Sequence, residues 1–151
     1  MQSQTPSVSL IKATSYEVEA LRESLVTLLE PLGGISAFVI SGVRVLLKPN
    51  LLTGARPTGE CTTRPEMVYA VATMVIEAGG KPFLGDSPAF GSAKGVALAN
   101  GYEQILEELN LPIIEFHGKR YEIVNDKFNH LLLSKETMEA DVVINFPKVK
   151  S

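Results

Sequence analysis

Two long segments of the chain carry apolar side chains at helical spacing. Within residues 14–34 and again within residues 63–80, apolar positions recur every three or four residues. Each segment opens with a threonine followed three residues later by a glutamate, the spacing of a capping box that satisfies N–H groups of the first turn. Each closes with a pair of glycines, which favours a left-handed stop. The pattern therefore predicts two helices.

The shorter segments are rich in consecutive apolar residues, which suits strands covered on both faces of a parallel sheet. Residues 91–110 predict two short helices separated near Gly101, and residues 121–133 are typical of a hairpin turning about Asn125 and Asp126, with a helical turn after it. Strands are predicted at residues 7–13, 43–50, 81–88, 111–116 and 141–151, the last of them buried.

Strands that alternate with helices pair in parallel through right-handed crossovers. The sequence therefore predicts one α/β domain over residues 1–151, a three-layer Rossmann-like fold whose mostly parallel sheet carries an added antiparallel hairpin. The last predicted strand runs directly into residues 148–151. Because a central strand seldom finishes a domain, we expect this chain to be the N-terminal fragment of a longer protein.

Composition narrows the class of protein and of partner. The chain is 45% hydrophobic and 21% charged, as soluble globular proteins are, and its net charge of -3 disfavours a nucleic-acid partner. We find neither a secretory signal pattern nor an apolar run of membrane-spanning length, so no membrane partner is expected. The lone cysteine, Cys61, fits a reducing compartment, and the predicted location is the cytoplasm. The oligomeric state stays open.

Polar residues follow three of the predicted strands, where ligands of open α/β sheets bind. Lysines, an arginine, hydroxyl groups and a helix N-terminus together favour an anionic small molecule. Asp86 is the exception, because it could accept a hydrogen bond from a substrate, ligate a metal or neutralise a lysine. Candidate catalytic residues are Lys48, Asp86 and Lys148; candidate ligand-binding residues are Asn50, Thr63, Arg64, Ser87, Asn145 and Lys150.

Each candidate also has a purely structural interpretation. Lys48 can be a solvated strand end, Asn50 a turn residue and Thr63 a helix cap. His117 and His130 lack the spacing of a metal-binding pair, so no metal site is assigned. The chain also lacks the dinucleotide-binding GxGxxG, the GxxxxGK[ST] phosphate loop and the GxSxG nucleophile elbow.

Three blocks of sequence resemble the DUF362 family, in the order in which that family has them. They are "VLLKPNLL", "TTRPEMVYAVATMVIEAGGKPFLGDSPAFGS" and "DVVINFPKVKS". The resemblance implies that members often have about twice this length and carry a ferredoxin-like module with two [4Fe-4S] clusters. It further implies that such clusters belong to a C-terminal part, and that this chain holds no cofactor of its own. The family's polar motif positions fall here on Lys48, Pro49, Asn50, Thr63, Pro65, Gly85, Asp86, Ser87, Asn145, Pro147, Lys148 and Lys150.

Two functions follow as hypotheses. In the first, the domain binds an anionic small molecule at the strand ends as half of a larger, iron–sulfur-associated redox enzyme. Replacing Lys48 or Asp86 by alanine would then weaken binding and leave the melting temperature nearly unaltered. In the second, the domain is a non-catalytic scaffold whose polar residues terminate strands and dock the remainder of a chain.

Overall fold

The computed structural model describes residues 7–54, 61–122 and 130–148. Its strands are β1 (Arg44–Pro49), β2 (Lys81–Asp86), β3 (Ile113–Glu115), β4 (Gly118–Glu122), β5 (His130–Ser134) and β6 (Val142–Phe146). Its helices are α1 (Val18–Leu29), α2 (Pro65–Glu77), α3 (Ala93–Ala99), α4 (Glu103–Glu108) and α5 (Lys135–Met138), with 3-10 turns at Glu30–Leu32 and Ile35–Ala37.

Four of these strands form one parallel sheet in the order β3-β2-β1-β6. The hairpin β4–β5 is antiparallel and forms a separate two-stranded sheet. The predicted α/β class, the parallel sheet and the hairpin are therefore confirmed. The turn at Asn125 and Asp126 lies outside the described residues.

The apolar core lies between the sheet and the helices that connect its strands. Val45 and Leu47 of β1 pack in one cluster with apolar side chains of α2, α3 and the α3–α4 connection, including the fully buried Tyr102. Successive side chains of a strand point to opposite faces, so Leu46 faces away from this cluster, and it too is completely buried. Central strand β1 is thus covered on both faces, as its continuous apolar run predicts.

The predicted strand at residues 7–13 is wrong. The segment has no strand structure, and Val8 and Leu10 are almost fully exposed. Its apolar residues alternate with polar ones, but alternation stabilises a strand only when one face is buried against a core.

Neither predicted capping box forms. Helix α1 begins after Glu17 and helix α2 after Arg64, and no side chain caps either helix at these positions. At α1 it is Ser15, not Thr14, whose hydroxyl accepts the N–H of Glu17. At α2 the Thr63 hydroxyl is bonded elsewhere, because it joins two strand ends. The glycine stops are confirmed, since Gly33 and Gly79 have φ of 94° and 82°.

The last strand is shorter and more exposed than its sequence predicts. Strand β6 ends at Phe146, and its side chains alternate between half-buried and exposed. It is the terminal strand of the sheet and pairs with β1 alone among the described strands, so one of its edges and part of one face lack the cover that a buried strand would have.

Candidate functional site

An ion pair joins the carboxyl ends of β1 and β2. The Lys48 Nζ atom lies 2.8 Å from Oδ1 of Asp86, and the two side chains are 35% and 9% exposed. The second carboxylate oxygen of Asp86 accepts the backbone N–H of Leu51 at 2.7 Å. The two oxygens of Asp86 therefore hold the end of β1 and the chain that leaves it.

Thr63 connects the ends of β1 and β6 with the start of α2. Its hydroxyl accepts the Asn50 N–H and donates to the Phe146 carbonyl, both at 2.9 Å. Its own N–H donates to the Asn50 carbonyl at 3.2 Å, and the Asn50 side-chain amide donates to the Cys61 carbonyl. The hydroxyl is buried, so these bonds are shielded from water.

Tyr102 supports this junction from beneath. Its hydroxyl donates to the Thr63 carbonyl at 2.8 Å. Burial raises the pKa of Tyr102 well above its ordinary value, and the negative charges of Glu66 and Asp86 raise it further. The phenol therefore stays protonated and keeps its role as a donor.

Two further cations lie beside the end of β6. Lys148 and Arg64 line a groove of about 230 Å³, together with Tyr16, Thr63, Met67, Phe146 and Pro147. The Arg64 guanidinium stands 4.3 Å from the centre of the Tyr16 ring, a distance at which a cation and an aromatic face attract. Asn145 is exposed and lies directly beside Lys48 in the β1–β6 register.

The strand order gives this groove its significance. We call the groove, together with the adjoining carboxyl ends of β1 and β6, the crevice. From β1 the chain moves to β2 and β3 in one direction, and then returns to place β6 on the other side of β1. In open parallel sheets, ligands bind beyond the carboxyl ends of the strands at the point where the strand order reverses. That point lies between β1 and β6, and helix α2 begins beside it, so the positive end of the helix dipole lies there.

The structure thus brings together most of the candidate residues. Lys48 and Asp86 meet at the β1–β2 ends, while Asn50 and Thr63 meet at the β1–β6 ends, near Arg64 and Lys148. Ser87 is exposed directly after β2. Lys150 lies outside the described residues.

Two polar residues at this edge escaped the sequence analysis. The Glu115 carboxylate, which ends β3, accepts the N–H groups of Ala93 and Lys94 at 2.8 and 3.3 Å and so caps α3. A carboxylate at the end of a predicted strand was a usable signal for this role. Tyr102 offered no such signal, because its contact with Thr63 bridges 39 positions of sequence.

Comparison with known proteins places the chain in a family. The model of DUF362, a domain of unknown function, matches residues 45–151. Thylakoid-associated protein sll1697 of Synechocystis sp. is 66% identical over 145 residues, which are 96% of this chain and 45% of that protein. The chain thus spans less than half the length of this relative. No solved structure matches the chain.

Proposed function

The chain belongs to the DUF362 family, and from that premise we propose that the crevice between β1 and β6 binds an anionic small molecule such as a carboxylate or a phosphate. The observation that carries the proposal is the placement of three cations around the reversal of strand order. Lys48 lies on one side of it, and Arg64 and Lys148 on the other. The start of α2 adds partial positive charge, which favours an anion further.

The cations differ in how free they are to bind. Lys48 is held by Asp86 but keeps a third of its side chain exposed, so it can share its ammonium with a ligand. Lys148 is half-buried along the groove, and Arg64 is oriented by Tyr16. Asn145, exposed beside Lys48, can add an amide hydrogen bond.

Of the three roles that the sequence allows Asp86, its contacts favour the neutralisation of a lysine over the catalytic role. With both oxygens bonded, to Lys48 and to the Leu51 N–H, it orients the lysine rather than meeting the ligand itself. We therefore assign Asp86 as a positioning residue. The proposal concerns binding, and it assigns no reaction.

An iron–sulfur cluster does not fit the residues of this chain. Such clusters are held by four cysteine thiolates, and the chain has one cysteine, Cys61. The described part of the chain also contains no group of three or more His, Cys, Asp or Glu side chains that could hold a metal ion. We propose that any cluster working with this domain is bound by cysteines outside residues 1–151, as part of a larger redox protein.

The location is a separate proposal. Within the described ranges, no helix has both the length and the apolar character needed to cross a membrane. The cytoplasm remains the proposed compartment, which the exposed free thiol of Cys61 supports. The name of the Synechocystis relative makes thylakoid association the competing location. Fractionation of cells carrying a tagged protein into thylakoid and soluble fractions distinguishes the two.

One observation favours the scaffold alternative. The polar groups of three candidate residues form hydrogen bonds with other segments of the same chain; these residues are Asn50, Thr63 and Asp86. A strand end whose polar groups bond within the chain needs no ligand to satisfy them. In this alternative the crevice is a docking surface for further polypeptide.

Anion titration of matched lysine variants separates the two functions. The probes are inorganic phosphate and citrate, followed by amide NMR shifts of residues at the ends of β1 and β6. Lys48→Ala is expected to weaken binding about tenfold, the effect of losing one charge-assisted hydrogen bond. The control is Lys81→Ala, because Lys81 is exposed at the opposite end of the sheet, where β2 begins. Equal affinities of the two variants, or no shift with either anion, would favour the scaffold.

A further inference from the structure

Strand β6 is left uncovered in two directions. Its Val142, Ile144 and Phe146 side chains pack against the core, but Val143 on the other face is 42% exposed and Asn145 is exposed as well. Among the described strands its only neighbour is β1. The backbone groups that face away from β1 therefore have no strand to pair with there.

The opposite edge of the sheet is built differently. Strand β3 has only three residues and ends in the charged Glu115, two features by which natural sheets prevent further pairing. Strand β6 has five residues, Val-Val-Ile-Asn-Phe, with no charge, no proline and a continuous apolar start. A strand of this composition is typical of the interior of a parallel sheet, where both faces are covered.

The strand order points the same way. Counting only the parallel strands, β3-β2-β1-β6 is the order 3-2-1-4, and in doubly wound sheets of this order further strands follow the fourth. The Synechocystis relative has more than half of its length beyond the part that matches this chain. That relative thus contains enough polypeptide to supply those strands.

We propose that β6 is an internal strand of a wider sheet, and that its free edge is occupied by a parallel strand from polypeptide outside residues 1–151. That polypeptide would also cover the face of Val143 and form the far wall of the crevice. The inference rests on the exposure and composition of β6, and it stands whether or not the crevice binds an anion.

Hydrogen exchange tests the proposal by comparing the two edges. Amide exchange is followed for β6 and β3 in chain 1–151 and for the matching segments in the full-length Synechocystis relative. In the relative, the β6 amides that face away from β1 are expected to exchange at least about 100-fold more slowly than in chain 1–151, because an additional ladder protects them. The outward amides of β3 serve as the internal control and are expected to exchange alike in both proteins.

Each outcome decides the question. Equal β6 exchange in the two monomeric proteins overturns the proposal. The proposal is also overturned if the β6 amides are already protected in chain 1–151 and sedimentation shows dimers that Val143→Lys dissociates. The occupant of the edge is then a second copy of the chain. If circular dichroism shows that chain 1–151 is unfolded, exchange in the relative alone tests the proposal. Slow exchange of all β6 amides, with fast exchange of the outward amides of β3, supports it. Similar exchange at the two edges contradicts it.

Discussion

The two sides of β1 use polar residues in opposite ways. Toward β2, the Asp86 carboxylate is almost buried, and both of its oxygens are bonded, to Lys48 and to the Leu51 N–H. Toward β6, the buried Thr63 hydroxyl closes the backbone junction, but Lys148 and Arg64 border an open groove. The Asp86 carboxylate is thus fully engaged in structural contacts, whereas the cations Lys48, Arg64 and Lys148 remain partly exposed.

This difference teaches that a polar residue at a strand end must be interpreted by its burial and its partners. Asp86, Lys48 and Lys148 have the same position in sequence terms, each at or just after the end of an apolar strand. Only the structure separates the carboxylate that fixes a loop from the cations that remain available. The contrast predicts that loss of the Asp86 carboxylate mainly lowers stability, whereas loss of a cation such as Lys48 mainly weakens binding.

The largest expected effect is the loss of stability in Asp86→Ala. This change removes the acceptor of a buried N–H and leaves Lys48 without its partner, so the free energy of unfolding should fall by about 3 kcal/mol. Urea unfolding measures it. The structure therefore predicts the opposite of the expectation from sequence, that removing Asp86 leaves stability nearly unaltered.

The matched variant for this prediction is Asp86→Asn. Its amide oxygen can still accept the Leu51 N–H while the negative charge is lost, so it should retain about half of the lost stability. A loss below about 0.5 kcal/mol in Asp86→Ala, of the size seen at ordinary surface positions, would show that the Asp86 carboxylate is not a structural contact.

The sequence predicts that the polar residues at the strand ends meet at one edge of the sheet. It does not predict which hydrogen-bond partners they have. Consecutive apolar runs joined by helices imply parallel strands, and parallel strands bring their carboxyl ends together. That reasoning placed Lys48 and Asp86 correctly at one edge. It mistook Thr63 for a helix cap, because the spacing of a capping box is local, while the acceptor of its hydroxyl lies 83 positions away at Phe146.

The exposure of an apolar segment could not be predicted from its local sequence pattern either. The segment 7–13 and strand β6 are both short and rich in valine, leucine or isoleucine, yet the first forms no strand and the second forms an edge. What separates them is a neighbour: β6 pairs with β1 over five positions, from Val45 opposite Val142 to Pro49 opposite Phe146. Strand propensity reflects such tertiary contacts more than the backbone alone.

The next largest effect is expected on the β6 side, in Thr63→Val. Valine has the shape of threonine but leaves the Asn50 N–H and the Phe146 carbonyl without their hydrogen bonds. The free energy of unfolding should therefore fall by about 2 kcal/mol. Because the two strand ends are no longer tied together, anion binding at the crevice should weaken as well. Urea unfolding and the phosphate titration measure the two effects.

Serine at the same position is the matched control. Thr63→Ser keeps the hydroxyl and loses one methyl group, so both hydrogen bonds and anion binding should persist at a cost of about 1 kcal/mol. If serine and valine destabilise the protein equally, packing of the methyl group, and not the hydroxyl, holds β1 and β6 together.

The smallest effect is expected away from both sides of β1, at Glu136 in the connection that leads to β6. The pKa of Glu136 is lowered from its ordinary value of 4.5 to about 2, chiefly by a hydrogen bond from the backbone N–H of His117 at 2.8 Å, together with bonds from its own backbone, the His117 ring and the Ser134 hydroxyl. Because the pKa is lower in the folded protein, the ionised carboxylate stabilises the fold above pH 4.5. That contribution is lost as the pH falls from 4.5 toward 2.

Glu136→Gln should therefore be less stable than the unchanged protein at pH 6, by up to about 1 kcal/mol, and the difference should shrink as the pH falls below 4.5. Urea unfolding at a series of pH values measures it, with Glu107→Gln on the exposed face of α4 as the control. A difference that stays constant with pH would mean that the charge is not what stabilises this connection. Since Glu136 lies outside the crevice, phosphate binding at pH 6 should be unchanged in Glu136→Gln. Weaker phosphate binding would show that the segment containing Glu136, and not β1 alone, sets the position of β6 beside Lys48.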